Sequence, residues 1–455
     1  MTRLVLGLLA ASTAALAGCS GCSRDQAMPS AAASASASAS ASAAPAAMVA
    51  ETLPRCRIDG ARLALPGDDV VAGEAVLGPD ALYLGVVRRE GTKRLAGVVR
   101  ASLDLSGLKM IELGPALGDD PPPTPRLRGK APFVTSFARR ASGDAGAGAG
   151  ADAGAGSMGS TRRLDIARVD GTTLVNEGSI VQQADESLAY DIAWPEADAA
   201  GAGIVAWDED APPDVAAALG DRGIVKVQLL GAGTKARVAS PEKSDAEAPR
   251  LLARPGGYWL AWLARRAEAA EDAGPSGNAE GPGERRAYRW VELVALDAKG
   301  EATSPVRRIS PEKGRVASFD LVRTGGPTDA QVVVLVQDEA AHAEGSGERM
   351  VRYVTDGDKV DAADLLDGGI GHALADLLPP TGANRWLAFV DTQEHAHLVP
   401  LGPTLRIAGA NTTEPALDGA RVLGTAPPDV VYAVGSAGTA EVAGGRVELR
   451  RLVCR

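Results

Sequence analysis

One phrase, repeated seven times, constrains this chain more than any other feature of its 455 residues. From Glu74 onward a short strand gives way to a turn holding Pro or Gly, then an apolar strand, a hairpin and another apolar strand. The clearest copy is PRLLARPGGYWLAWLA at 249–264, followed after a polar insert by YRWVELVAL at 288–296. The matching central strands of the other six copies are 81–87, 132–138, 203–207, 331–336, 385–390 and 429–434. Each is apolar, β-branched and bounded by turn formers, so each reads as a strand with one face or both buried. Helical readings fail on period and on the placement of Gly and Pro. Aromatic residues are only 4% of a chain that is 45% hydrophobic, so Ala, Val and Leu must fill the interior. That suits short strands packed face to face.

Short antiparallel strands with a repeat of roughly 45 to 70 residues resemble the blades of a β-propeller. The expected fold is therefore all-β, with seven four-stranded blades. Six or eight blades are rival counts, and a large β-sandwich is the alternative architecture. A circular propeller needs its first and last segments in one blade. Residues 57–66 resemble the outer strand that precedes each repeat, as at 234–241, and 446–453 supply its neighbour. Cys56 and Cys454 lie at those two ends, and an oxidising compartment would let them form a disulfide that staples the blade shut. Two free buried thiols are the plainer alternative.

Export is written at the start. Met1-Thr-Arg3 is a short positive segment, residues 4–16 are apolar but too few to span a bilayer, and Leu16-Ala17-Gly18-Cys19 follows. That order reads as a secretory signal peptide. Its last four residues resemble the lipobox of bacterial lipoproteins. The resemblance implies cleavage before Cys19 and a palmitate-type lipid on that cysteine. By the same family's sorting habit, Ser20 in the next position leans towards the outer membrane. No later stretch approaches the roughly 20 apolar residues of a span, so the expected mature protein is anchored and does not cross. Residues 30–47 are nearly all Ser and Ala, too poor in apolar surface to offset their ordering entropy. The expected division is a signal peptide at 1–18, a lipidated and disordered linker at 19–55, and the propeller at 56–455. A coil of about 30 residues lets the domain stand about 30 Å from the membrane.

The formal net charge of −11 argues against a nucleic-acid partner. Four hairpins between second and third strands are long, at 139–163, 208–222, 265–286 and 338–349. In propellers these hairpins open on one rim, and loops on a rigid scaffold commonly carry binding function. Arginines flank the bases of these and a neighbouring hairpin: Arg88, Arg89 and Arg94, then Arg139, Arg140, Arg162 and Arg163, then Arg265, Arg266, Arg285 and Arg286. If they converge they form a collar for carboxylate or phosphate groups. The plainer reading pairs them with neighbouring acids such as Glu90, Asp208 and Glu284.

Catalytic signals are sparse. His395 and His397 share one strand face near Glu394 and would suit a zinc or copper site, but no third ligand is evident. Of the four histidines the other two are His342 and His372. No nucleophile elbow, phosphate loop or paired Cys-x-x-Cys appears, and Cys22 sits three residues after the cysteine that would carry lipid. The motifs of sialidase, WD-repeat and kelch propellers are missing too. Asp191, Asp320 and Asp376 each fall near the middle of a first strand, the strand that lines a propeller channel, and three carboxylates there could bind Ca²⁺. Channel acids solvated by water are the plainer reading. The sequence thus points first to a membrane-tethered binding or scaffold module for an envelope protein or glycan, with no cofactor implied. A propeller hydrolase or metal-dependent enzyme using channel carboxylates is the alternative.

Overall fold

The computed structural model describes residues 55–454 except 61, 117–119, 140–161, 182–188, 196–201, 212–221, 232, 243, 268–286, 313, 324–330, 339–348, 357–358, 365–374, 378–384, 391–394, 403–405, 427–429 and 437–445. The described chain is all-β, apart from one 3₁₀ turn at Pro415–Leu417. Its strands form seven separate antiparallel sheets among the described residues, six of them four-stranded meanders in strict chain order. Their second strands are Ala81–Glu90, Ala131–Arg139, Ile204–Asp210, Gly257–Ala267, Gln331–Asp338, Arg385–Val390 and Val430–Ser436. Each of the seven central segments expected from the repeat coincides with a strand in the second place of its own sheet, with Gly203 just before its strand and residue 429 outside the described residues.

The seventh sheet is built from both ends of the chain. Ala420–Ala426, Val430–Ser436 and Val447–Cys454 come from the C-terminal end, and Cys56–Ile58 adds the fourth place from the N-terminal end. Its register sets Cys56 opposite Cys454 and Arg57 opposite Val453. Leu63–Ala64 then pairs further along the same C-terminal strand. A Cys56–Cys454 disulfide joins the two edges. Both half-cystines are buried among Ala388, Leu398, Val431 and Leu452. Glu414, fully buried, completes the clasp: its carboxylate accepts from the backbone N–H of Arg55 at 3.0 Å and of Cys56 at 2.8 Å, and from the Thr412 hydroxyl at 2.5 Å. A carboxylate with three donors is stable inside protein because its charge is met on every side.

Period-two alternation explains how the sheets pack. Along Gly257–Ala267, the residues Tyr258, Leu260, Trp262 and Ala264 face the third sheet through Ile204, Ala206, Val225 and Val227. The intervening Trp259, Ala261 and Leu263 face the fifth sheet through Phe319, Leu321 and Val351. One strand therefore feeds two interfaces, as both-faced apolar strands require. Similar layers join the first sheet to the second, the second to the third, and the sixth to the seventh. The seventh packs on the first, Tyr432 and Leu449 against Leu82, Leu84 and Val86.

Close approach of neighbouring sheets has a marker at Gly85. A Cβ built there would lie 1.6 Å from the carbonyl oxygen of Pro123 in the second sheet. Only Gly admits backbone at that distance.

Candidate functional site

First strands of several neighbouring sheets touch one another. Asp68–Leu77 touches Thr124–Arg128 on one side and Ala420–Ala426 on the other, while Asp245–Arg254 touches both Tyr190–Ala193 and Val316–Arg323. Every first strand carries one charged residue at an equivalent place, followed by an apolar or small one: Glu74, Arg126, Asp191, Arg250, Asp320, Asp376 and Arg421. In chain order the signs run minus, plus, minus, plus, minus, minus, plus. The sequence reading found Asp191, Asp320 and Asp376 on their first strands. It missed Glu74 and the three arginines at the same register, although the charged-then-apolar pair in each copy of the phrase was the signal.

Backbone irregularity helps aim these groups. Register slips occur between Ala72 and Ala75, around Glu74, and between Glu247 and Arg250. Such bulges bend a strand and redirect side chains. In the second, Ala248 holds φ at 52°, a left-handed conformation that costs a non-Gly residue about 1 kcal/mol. Its N–H donates to Asp208 Oδ2 at 2.7 Å, and the N–H of Leu251, on the other side of Arg250, donates to Asp191 Oδ2 at 2.8 Å. Two carboxylates of the third sheet thus pin the backbone that carries Arg250.

The charges are unevenly matched. Arg126 bridges Glu74 and Asp191, donating to Glu74 Oε2 and, at 3.1 Å, to Asp191 Oδ1. Burial opposes the Arg126 charge, and the two acids hold it well above its ordinary range. Burial likewise opposes the charge on Glu74, but the guanidiniums of Arg126, Arg250 and Arg421 outweigh it and lower its titration. Asp191, 5% exposed, has both oxygens engaged, Oδ1 by Ile192 N–H and Arg126 and Oδ2 by Leu251 N–H. Arg421 donates to the carbonyls of Ala72 and Gly73. Arg250 and Asp320 stand apart. Arg250 donates to the neighbouring Pro249 carbonyl at 3.3 Å and forms no ion pair among the described residues. Asp320 accepts from Leu321 N–H at 2.8 Å on Oδ1, and its second oxygen has no partner among the described residues.

Asp320 is open to solvent. Crowding by protein pushes its carboxyl up to about 6; Arg250 and the Leu321 N–H pull downward, and Asp191 and Glu74 push further up.

Asp376 lies in Ala375–Leu377, opposite Ala388, and its side chain is outside the described residues. Among the described residues no group of three or more His, Cys, Asp or Glu is placed to hold a metal ion. His397 is buried, stacks on Phe389 with ring centroids 4.8 Å apart, and has Nδ1 3.1 Å from Asn411 Oδ1. His395 is exposed just before the strand Ala396–Leu401. His342 and His372 fall outside the described residues, as does Glu394.

Each of the four long hairpins joins the second strand of its sheet to the third. The interiors, with Arg140, Arg285, Arg286 and Glu284, are outside the described residues, and the side chains of Arg139, Arg162 and Arg266 are too. The described arginines at these bases meet local acids. Arg163 pairs with Asp165 at 2.6 Å, and Arg265 with Asp245 at 2.7 Å and Glu247 at 3.3 Å. Arg88 pairs with Glu90 at 3.2 Å and Glu112 at 2.6 Å, and Arg89 pairs with Asp69. Cys19 and Cys22 lie outside the described residues. No helix among the described residues is long and apolar enough to cross a membrane.

No protein-family model and no curated protein matches the chain. Among solved structures, a prolyl endopeptidase is similar over 84% of this chain and 47% of its own, at 12% identity and a TM-score of 0.47. The chain thus spans about half of that enzyme. The polysaccharide lyase Uly1 is similar over 86% of this chain and 91% of its own, at 10% identity and a TM-score of 0.47. The β-propeller domain of the Trilobed protease from Pyrococcus furiosus is similar over 85% of this chain and 94% of its own, at 10% identity and a TM-score of 0.45. These likenesses transfer no site residue and no activity.

Proposed function

We propose that the chain is a seven-bladed β-propeller lipoprotein, tethered by lipid on Cys19, that serves as an extracytoplasmic binding or scaffold module for an envelope protein or glycan. The pairing of Cys56–Ile58 with Val447–Cys454 and the packing of the seventh sheet on the first support a closed ring. The single observation behind the binding role is that the three longest connections, 140–161, 211–222 and 268–286, all lie between second and third strands, as does 339–348. In a ring of like sheets equivalent connections open on one side, where they compose a continuous recognition surface.

The test is a pull-down from native envelopes with the lipidated chain beside a variant whose four hairpins are cut to tight turns. Recovery of a specific partner by the parent alone supports the rim; the same partners on both variants sink it. Separately, Cys19→Ala should leave the membrane pellet and appear in the soluble fraction. An unchanged distribution would refute the anchor, and with it the lean towards the outer membrane.

The enzyme alternative has one observation in its favour. One oxygen of Asp320 has no partner among the described residues, and crowding by protein pushes its carboxyl up to about 6, a direction that suits a general acid or base. A glycosidase and peptidase substrate screen of the parent against Asp320→Asn decides it: turnover that the variant lacks would favour the enzyme.

A further inference from the structure

Seven charged positions lie on the first strands, and three of them, Glu74, Arg126 and Asp191, neutralise each other. Arg126 is spent on Glu74 and Asp191, and Arg421 on backbone carbonyls. Among the described residues two members are left over, on adjacent sheets, the Asp376 side chain lying outside them. Among the described residues Arg250 has no anion in contact and Asp320 no cation, yet the Arg250 charge acts on Asp320. Arg250 also acts on Glu74 from across the ring. The two stand on first strands that touch, Asp245–Arg254 against Val316–Arg323.

This mismatch is held in place. Long arginine side chains readily find acids when their backbone allows it, and an ion pair between Arg250 and Asp320 would relieve both. Instead the backbone around Arg250 is bulged and strained at Ala248, and it is clamped by Asp208 on one side and Asp191 on the other. Strain that neighbouring structure enforces is characteristic of sites kept ready for a ligand. Asp191 also shows what a satisfied acid looks like here: it uses its second oxygen on the next sheet, whereas that of Asp320 has no partner among the described residues.

We propose that Arg250 and Asp320, on touching first strands, border a binding site for a small zwitterion, whose carboxylate is received by Arg250 and whose ammonium group is received by Asp320. A lone anion would meet Arg250 but leave it facing the carboxylates of Asp320 and Glu74. A lone cation would meet Asp320 but oppose Arg250. A molecule with both charges satisfies each group and changes the net charge of the ring by nothing. The site is independent of the tether and of the hairpins.

The experiment is calorimetric titration of the full-length, detergent-solubilised chain at pH 7.5 with glycine, β-alanine, 4-aminobutyrate and 6-aminohexanoate, a series of growing charge separation. Acetate and methylammonium serve as half-ligands at equal concentration. At least one amino acid should bind at least tenfold more tightly than either half-ligand. Arg250→Gln and Asp320→Asn should each lower that affinity tenfold or more while keeping the parent's circular dichroism spectrum. Affinity should also fall as the pH drops below 6, where Asp320 gains a proton under the combined influence of Arg250, Asp191 and Glu74. No binding by any amino acid, half-ligands that bind as tightly, or variants that bind unchanged would each overturn the proposal. Hairpin-shortened protein should bind the amino acid like the parent, so failure of the rim reading and failure of this one show in different measurements.

Discussion

Asp320→Asn should make the protein more stable at alkaline pH and leave it unchanged in acid. An unfolded aspartate ionises near 4, whereas the folded carboxyl holds its proton up to about 6. A folded pKa above the unfolded one means that the group's contribution is full below about pH 4 and is lost as pH rises through about 6. A gap of about two units corresponds to about 3 kcal/mol for a sheltered group. Asp320 keeps open surface, and solvent screening reduces the figure to about 1 kcal/mol. Asparagine avoids the loss, and its amide oxygen can still accept from Leu321 N–H. Urea denaturation followed by tryptophan fluorescence at pH 4, 6 and 8 should show the two proteins together at pH 4 and the variant ahead at pH 8. Equal midpoints throughout, or a less stable variant at pH 8, would refute the crowding of Asp320. A saturating zwitterion should reverse the order, because ligand at a hundredfold excess over its Kd adds about 2.7 kcal/mol to the parent alone.

Arg126→Met should cost about 3 kcal/mol at pH 7, since it leaves buried Asp191 and crowded Glu74 without their shared cation. Glu74 titrates below its unfolded value, so its share is present above the usual carboxylate range and lost as pH falls; the deficit should therefore shrink towards pH 4, and a pH-independent deficit in denaturation midpoints would contradict the bridge. Cys454→Ser should lower stability by several kcal/mol, up to the ceiling of about 6 kcal/mol that loop entropy sets for a separation of 398 residues. Reducing agent should shift the parent's urea midpoint and leave the variant's alone; a parent that ignores reductant would show that strand pairing and Glu414 suffice. Gly85→Ala should cost about 3 kcal/mol, because a methyl group there meets the Pro123 carbonyl, and a melting temperature equal to the parent's would mean that the first two sheets can part without penalty.

The parts of the fold legible in sequence were those with local signatures. Apolar alternation at 258–264 marks a two-faced strand whatever surrounds it, and the same holds for its six counterparts. The terminal clasp was legible because only Cys56 and Cys454 bracket the repeats. Glu414 was not, since a lone Glu before a Pro reads as a solvated turn until its carboxylate is found beneath the Cys56 N–H. Pro123 against Gly85 was equally hidden, being a contact between sheets that neither segment announces. The ring was half legible. A search for catalytic or metal-binding carboxylates picks out Asp191, Asp320 and Asp376 and passes over arginines, and only equivalent register shows that Arg126, Arg250 and Arg421 belong with them. The bulge at Ala248 carries no sequence signal, because alanine gives no warning of a left-handed backbone.

That bulge also bears on why the ring is charged. Replacing buried ion pairs by apolar side chains of similar volume is often neutral or stabilising, so alternating acids and arginines are not what stability alone would place at the meeting point of the first strands. Several members of the ring hold the sheets together. Asp191, with Asp208 beside it, fastens the third sheet to the fourth through backbone N–H groups, and Arg126 fastens the second to its two neighbours. Arg250 and Asp320 fasten nothing of this kind. Asp208 and Asp191 hold the bulged strand that carries Arg250, and crowding opposes the charge on Asp320 at neutral pH. Where local consistency is broken and the surrounding structure enforces the break, function is the expected cause. A double variant, Arg250→Gln with Asp320→Asn, separates the two possibilities. If the mismatch serves binding, the double variant should match or exceed the parent in stability while losing zwitterion affinity; if the pair instead contributes to folding, it should unfold at lower urea than either single variant.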